Sequence, residues 1–98
     1  MQLIWAPQST IDLLEIWTFI AQDDPNAADR IVSAVEAAAD MLVKFPRMGR
    51  RGRSHGTREL PIVRTPYPVV YRVSGEEVQI ARVIHGARDW PLSKKKRA

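Results

Sequence analysis

The residues with chemistry to offer are two histidines and a large set of arginines. His85 sits in Ile84-His85-Gly86-Ala87-Arg88-Asp89-Trp90-Pro91, where an imidazole, a guanidinium, a carboxylate and an indole crowd together near the chain's end. An imidazole exchanges its proton close to neutral pH, which suits a general acid or base. A guanidinium is a planar fork that holds phosphate or carboxylate through two parallel bonds. Arg50, Arg51 and Arg53 form one cluster, while Arg58, Arg64, Arg72, Arg82 and Arg88 lie on or near segments that read as strands. Metal-free cleavage of RNA is one use for such a set. A base takes the 2′-hydroxyl proton, a cation stabilises the phosphorane, and an acid protonates the leaving 5′-oxygen. His85 with Arg64 and Arg82 are the catalytic candidates under that reading, although spacing alone does not bring them together. Recognition is the other use, with Arg50, Arg51, Arg53, Arg58, Arg64, Arg82, His85, Arg88 and Trp90 as contacts to a target or partner. A structural role for His85 at a strand's end, and plain solvation of the arginines, stand beside both.

Other chemistries find less to work with. Asp12, Glu15, Asp23, Asp24, Asp29, Glu36 and Asp40 fall along helical segments or their turn, where solvent-facing charge is expected, so no catalytic carboxylate pair is assigned. His55 and His85 are thirty residues apart, and no HExxH or aspartate cluster supports them, so no metal site is expected. There is no GxxxxGK[ST] loop; Gly49, Gly52 and Gly56 match a phosphate cradle only in number. With no cysteine there is no disulfide framework and no thiol chemistry. No cofactor is expected.

Charge is more informative in its placement than in its total. Residues 1–43 carry one basic side chain against seven acidic ones, a net of −6; residues 44–98 carry fourteen against four, a net of +10, and together they give the chain's +4. Such polarity draws an anionic or acidic partner to the C-terminal half. The start, MQLIWAPQST, lacks the basic opening and apolar core of a secretory leader, and apolar runs are far too short for a membrane span. A cytoplasmic protein without membrane contact is the expectation.

These side chains need a scaffold. Gln2-Leu3-Ile4-Trp5 reads as a short strand, and Pro7 suits the first position of a helix, where its missing N–H costs nothing. Ile11, Leu14, Trp17 or Phe19, and Ile20, flanked by Ile16, recur at helical spacing. Asp24-Pro25 reads as an N-cap and first-turn proline. Ile31, Val32, Val35, Ala38, Ala39, Leu42 and Val43 then form one face of a second helix, which Phe45-Pro46 stops. Met48 to Thr57 reads as a cationic loop. Arg58-Glu59-Leu60 with Ile62-Val63, then Val69 to Val73, then Val78 to Ile84 read as strands, the last two joined by a tight turn at Ser74-Gly75. Pro68, lacking an N–H, belongs at a strand's beginning or edge. Strict alternation puts Val78, Ile80, Arg82 and Ile84 on one face of the last strand, and Gln79, Ala81, Val83 and His85 on the other. The expected fold is α+β, order β-α-α-β-β-β, with an N-terminal helical hairpin packed on a small, mainly antiparallel sheet. One domain spans 1–93, followed by a basic tail, 94–98, expected to be disordered.

With these residues in view, the chain resembles the toxins of type II toxin–antitoxin modules, the RelE/ParE superfamily. The likeness runs through WAPQSTIDLLEIWTFIAQDDPNAADRIV, LVKFPRMGRRG, GTRELPI, YPVVYRV and IARVIHGARDWP, in order, across nearly the whole length. It implies a small cytoplasmic toxin held inactive by a cognate antitoxin from an adjacent gene. It also implies one of two targets: RelE-type members cut mRNA in the ribosomal A site, whereas ParE-type members poison DNA gyrase. Nuclease members tend to carry an arginine just before the L/V-V-Y of the central strand. Here Pro68 precedes Val69-Val70-Tyr71, and proline cannot clamp a phosphate. Gly86 stands where a terminal tyrosine might be sought. HGARD looks more like the ParE-like branch, so gyrase poisoning without enzymatic activity is favoured over a ribosome-dependent, metal-independent endoribonuclease. A non-toxic adaptor or degenerate toxin that binds an acidic peptide is the third reading.

Overall fold

Pro7 and Pro25 each open a helix, as their fixed φ and missing N–H favour. In the computed structural model, which describes residues 1–88, these helices are α1 (Pro7–Ala21) and α2 (Pro25–Lys44). Asp24 caps α2: its Oδ1 accepts from the backbone N–H groups of Asn26 and Ala27, both at 3.1 Å. Before the hairpin comes β1 (Gln2–Trp5); after it come β2 (Arg50–Arg51), β3 (Arg58–Leu60), β4 (Val69–Ser74) and β5 (Glu77–Val83). The strands form one sheet in the order β1-β5-β4-β3-β2, in which β1 runs parallel to β5 and the remaining pairs are antiparallel. The parallel β1–β5 pair needs a long connection, which runs through the helical hairpin and then β2, β3 and β4, and the hairpin packs across β5 and β1.

The α+β arrangement agrees with the expectation, and the core lies between hairpin and sheet. Ile16, Val35, Ala39 and Leu42 from the helices meet Val69, Tyr71, Val78, Ile80 and Val83 from the strands, with Ile62 closing one end. Pro68 stands just before β4, as its missing N–H demands. The β4–β5 hairpin turns through Gly75-Glu76, one residue later than expected, and Gly75 adopts φ 57°. Glycine at the first of two turn positions is the Gly-X form of a tight hairpin.

Five expectations need correction. The face of α1 toward the sheet is Ser9, Asp12 and Ile16, whereas Leu14 and Phe19 are 64% and 68% exposed. This helix is apolar on most sides, so spacing alone does not choose its inward face, which packs Leu13, Ile16 and Ile20 on the core and carries the Asp12 bonds. Asp12 is therefore not solvent-facing but 3% exposed. Alternation along β5 also fails, because Val70 pairs with Arg82 while Tyr71 pairs with Ile80, leaving Ala81 as an extra residue. This bulge reverses the phase and sends Val83 into the core with Val78 and Ile80. Finally, Met48 to Thr57 is not all loop, since Arg50-Arg51 pairs with β3. At the other end of β3, Pro61 follows Leu60 immediately, and Val63 lies outside the strand on the exposed surface. Asp89, Trp90 and the basic tail lie outside the described residues.

Candidate functional site

The β5 bulge builds the first piece of the site. It turns the Arg82 guanidinium and the Val83 N–H toward one carboxylate on α1. Arg82 Nε donates to Asp12 Oδ2 at 2.8 Å and Nη2 to Oδ1 at 3.0 Å, while Val83 N donates to Oδ2 at 2.9 Å. Gln8 adds a bond from one turn earlier, 3.2 Å to Oδ1. Burial alone would push the Asp12 carboxyl up, but Arg82, Val83 and Gln8 together hold it below the usual carboxylate value. Asp12 in turn makes Arg82 hold its proton more firmly. The fork of Arg82 is thus turned inward, onto its own chain.

His85 stands next to this junction and is exposed. Its ring meets Tyr67 edge-on, with centroids 5.7 Å apart and planes at 83°. Its Nδ1 accepts from the Ala87 N–H at 3.0 Å. A ring nitrogen that accepts carries no proton, so in the neutral ring Nε2 bears it. The nitrogen facing away from this bond is accordingly a donor, which suits contact better than proton abstraction. A groove of about 190 Å³ runs between α1 and this corner, with Ile16, Val83 and Ile84 beneath and Glu15, Phe19, Tyr67, His85 and Arg88 around it.

A second carboxylate organises the cationic segment. Glu59, on β3, is 2% exposed. Its Oε2 accepts from Arg53 N at 2.9 Å and from Arg53 Nε at 3.1 Å. Burial would raise the Glu59 carboxyl, and Arg53 overcomes this to hold it low. The outer nitrogen of Arg53, Nη1, reaches Gly86 O at 3.3 Å and Arg88 O at 3.2 Å. Gly86 N donates to Pro66 O at 2.7 Å. The segment after β5 is therefore gripped from both sides.

Arg58 is also occupied: its Nη1 donates to Gly49 O at 2.6 Å and to Arg47 O at 3.4 Å. Beneath it, the buried Tyr71 hydroxyl donates to Pro46 O at 2.7 Å and accepts from Gly49 N at 2.9 Å. A Cβ on Gly49 would lie 2.7 Å from the Tyr71 ring, which is why glycine stands there. Arg50, Arg51 and His55 remain exposed. Arg50 and Arg51 line a cleft of about 340 Å³ with Arg53, Glu59, Pro68 and Gly86. Arg64 is exposed on the turn after β3 at φ 69°.

The candidate residues thus divide. Arg53, Arg58 and Arg82 hold the chain's own groups, whereas Arg50, Arg51, Arg64, His85 and Arg88 face outward. Asp12, Glu59, Tyr67 and Tyr71 organise the site, and no motif in the sequence marks them for it. Among the described residues no group of three or more His, Cys, Asp or Glu is placed to hold a metal ion, and no helix is long and apolar enough to cross a membrane.

The two-helix hairpin on a five-stranded mixed sheet is shared with solved chains of toxin–antitoxin systems. The chain is similar, at a TM-score of 0.77 and 28% identity, to a chain of the chromosomal ParDE system from P. aeruginosa, over 87% of this chain and 95% of that one. A chain of the RelBE2 toxin–antitoxin complex from Mycobacterium tuberculosis matches at a TM-score of 0.62 and 27% identity, over 86% and 95%. Among sequence relatives, a putative toxin, Y4kP, of Sinorhizobium fredii is 40% identical over 89% of this chain and 90% of its own. The toxin RelE2 of Caulobacter vibrioides is 37% identical over 89% and 97%. Residues 3–90 match the family described as the ParE toxin of the type II toxin–antitoxin system parDE. The chain belongs to that family and is a type II toxin of the ParE/RelE superfamily.

Proposed function

We propose that this toxin works in the cytoplasm by binding DNA gyrase, without chemistry of its own, and that a cognate antitoxin neutralises it. Gyrase enters through the resemblance to ParE-like toxins. The observation that carries the choice of binding over cleavage is the Arg82–Asp12 bond pair. A phosphate clamp needs an open fork, and this one closes on a buried carboxylate. His85 adds support, since its acceptor nitrogen is engaged by Ala87. Purified toxin is expected to inhibit supercoiling or to trap cleaved DNA–gyrase complexes. Normal supercoiling at toxin levels that stop growth would overturn the gyrase reading.

Ribosome-dependent cleavage of mRNA is the second reading, and one observation favours it: His85 is exposed and shares its groove with Arg88. It requires cuts in translated message that His85→Ala removes. Regulated expression separates both readings from an inert adaptor, because only a toxin arrests growth in a way the neighbouring gene relieves.

A further inference from the structure

The end of α2 presents an exposed apolar ridge. Met41, Phe45 and Met48 are 42%, 54% and 44% exposed. They follow one another along consecutive backbone bonds, Phe45 N to Met41 O at 2.9 Å and Met48 N to Phe45 O at 3.0 Å. The backbone beneath them is fixed. Tyr71 holds Pro46 and Gly49, and Arg58 holds Arg47 and Gly49. Polar bonds thus anchor the turn, while its large apolar side chains are left partly exposed. An anchor set that is ordered before binding loses little entropy on docking, and methionine adapts its shape to an apolar partner.

Charge says what kind of partner. Lys44, Arg47, Arg50 and Arg51 are exposed along the same stretch, and the ion pairs among the described residues, Arg53–Glu59 and Arg82–Asp12, involve none of them. A phosphate backbone would use the cations and leave the ridge wet. A protein segment with carboxylates beside apolar side chains uses both. We infer that Met41, Phe45 and Met48, with Lys44 and Arg47 beside them, form the docking ridge for an acidic, amphipathic segment of the cognate antitoxin. This rests on the reading of the chain as a toxin held by an antitoxin.

The test is titration of the full-length toxin with the protein encoded by the neighbouring gene. Phe45→Ser with Met48→Ser is expected to weaken binding by about tenfold or more, as loss of a central apolar anchor does. Leu14→Ser, at an exposed apolar position on α1, is expected to bind within about twofold of the unchanged toxin. Lys44→Glu with Arg47→Glu is a second variant that leaves apolar packing alone; it should weaken binding and flatten its dependence on salt. Unchanged affinity in a variant that keeps its thermal midpoint overturns the ridge while leaving the toxin reading intact. Equal weakening by Leu14→Ser also overturns it. Failure of the unchanged toxin to bind that protein overturns the antitoxin reading and the ridge together.

Discussion

Asp12 shows how one side chain can fix a site without belonging to the reacting surface. Its buried carboxylate satisfies two guanidinium N–H groups of the partly exposed Arg82 and the buried Val83 amide. Asp12→Ala leaves that amide without a partner and removes the carboxylate that the Arg82 fork grips. Such a loss costs roughly 2–4 kcal/mol, toward the lower end here because Arg82 keeps part of its solvent contact. Urea denaturation at neutral pH measures it. The sign of the pH effect follows from the direction of the shift. A carboxyl held low in the folded state adds stability above its unfolded value, about pH 4, and that stability is lost as pH falls through the folded value. The unchanged protein should therefore weaken below about pH 4 more steeply than Asp12→Asn. Glu59, held low by Arg53, works in the same direction, so part of the slope should survive in that variant and shrink again with Glu59→Gln. None of this was legible in the sequence. Asp12 is one of seven acidic residues in the first forty-three, and its partner lies seventy positions away across a register shift.

At the level of elements, propensity and punctuation carried the reading a long way. Both first-turn prolines, the Asp24 cap, the stop at Phe45-Pro46 and the strand-opening Pro68 lie where local chemistry puts them. What failed was the choice of face. In α1 apolar residues occupy several sides, and in β5 one extra residue inverts the pattern; neither effect is local, so neither has a local signature. The segment after β5 is likewise placed by distant elements. Arg53 reaches it from the β2–β3 connection and Pro66 from the turn before β4. Arg53→Lys keeps the charge but loses the fork that bridges Glu59 to two carbonyls. Hydrogen exchange at the Gly86 and Arg88 amides should then accelerate by about tenfold or more, with Val70 and Tyr71 in the central strand unchanged. Equal protection at Gly86 would mean that the Pro66 bond suffices. Tyr71→Phe probes the opposite end of the sheet. It leaves the buried Gly49 N–H without its acceptor and the half-buried Pro46 carbonyl without its donor, a cost of about 1–3 kcal/mol, readable as a lower thermal midpoint.

Across the whole molecule, the charge polarity of the sequence becomes a division of labour among arginines. Composition shows that the second half is basic, but it does not say which cations are available to a partner. The fold supplies that distinction. Arg53, Arg58 and Arg82 close on the chain's own carboxylates and carbonyls, whereas Arg50 and Arg51 occupy a two-residue edge strand and remain exposed. Exposed cations act at a distance, steering an oppositely charged partner before contact, and salt screens that steering. The two groups should therefore fail in different ways. Arg50→Glu with Arg51→Glu should lower the association rate with an acidic partner by about tenfold at low salt, and the deficit should shrink as salt rises. Its thermal midpoint should stay near that of the unchanged toxin, because neither side chain is built into the core. Arg82→Glu should do the reverse. It sets a carboxylate against Asp12 and lowers the midpoint, with a loss of binding that tracks the unfolded fraction and not the salt. Stopped-flow association beside thermal melts, each across a salt series, separates the two behaviours. If Arg50 and Arg51 can be reversed without slowing association, this edge strand is a solubilising surface, and steering of the partner falls to other cations.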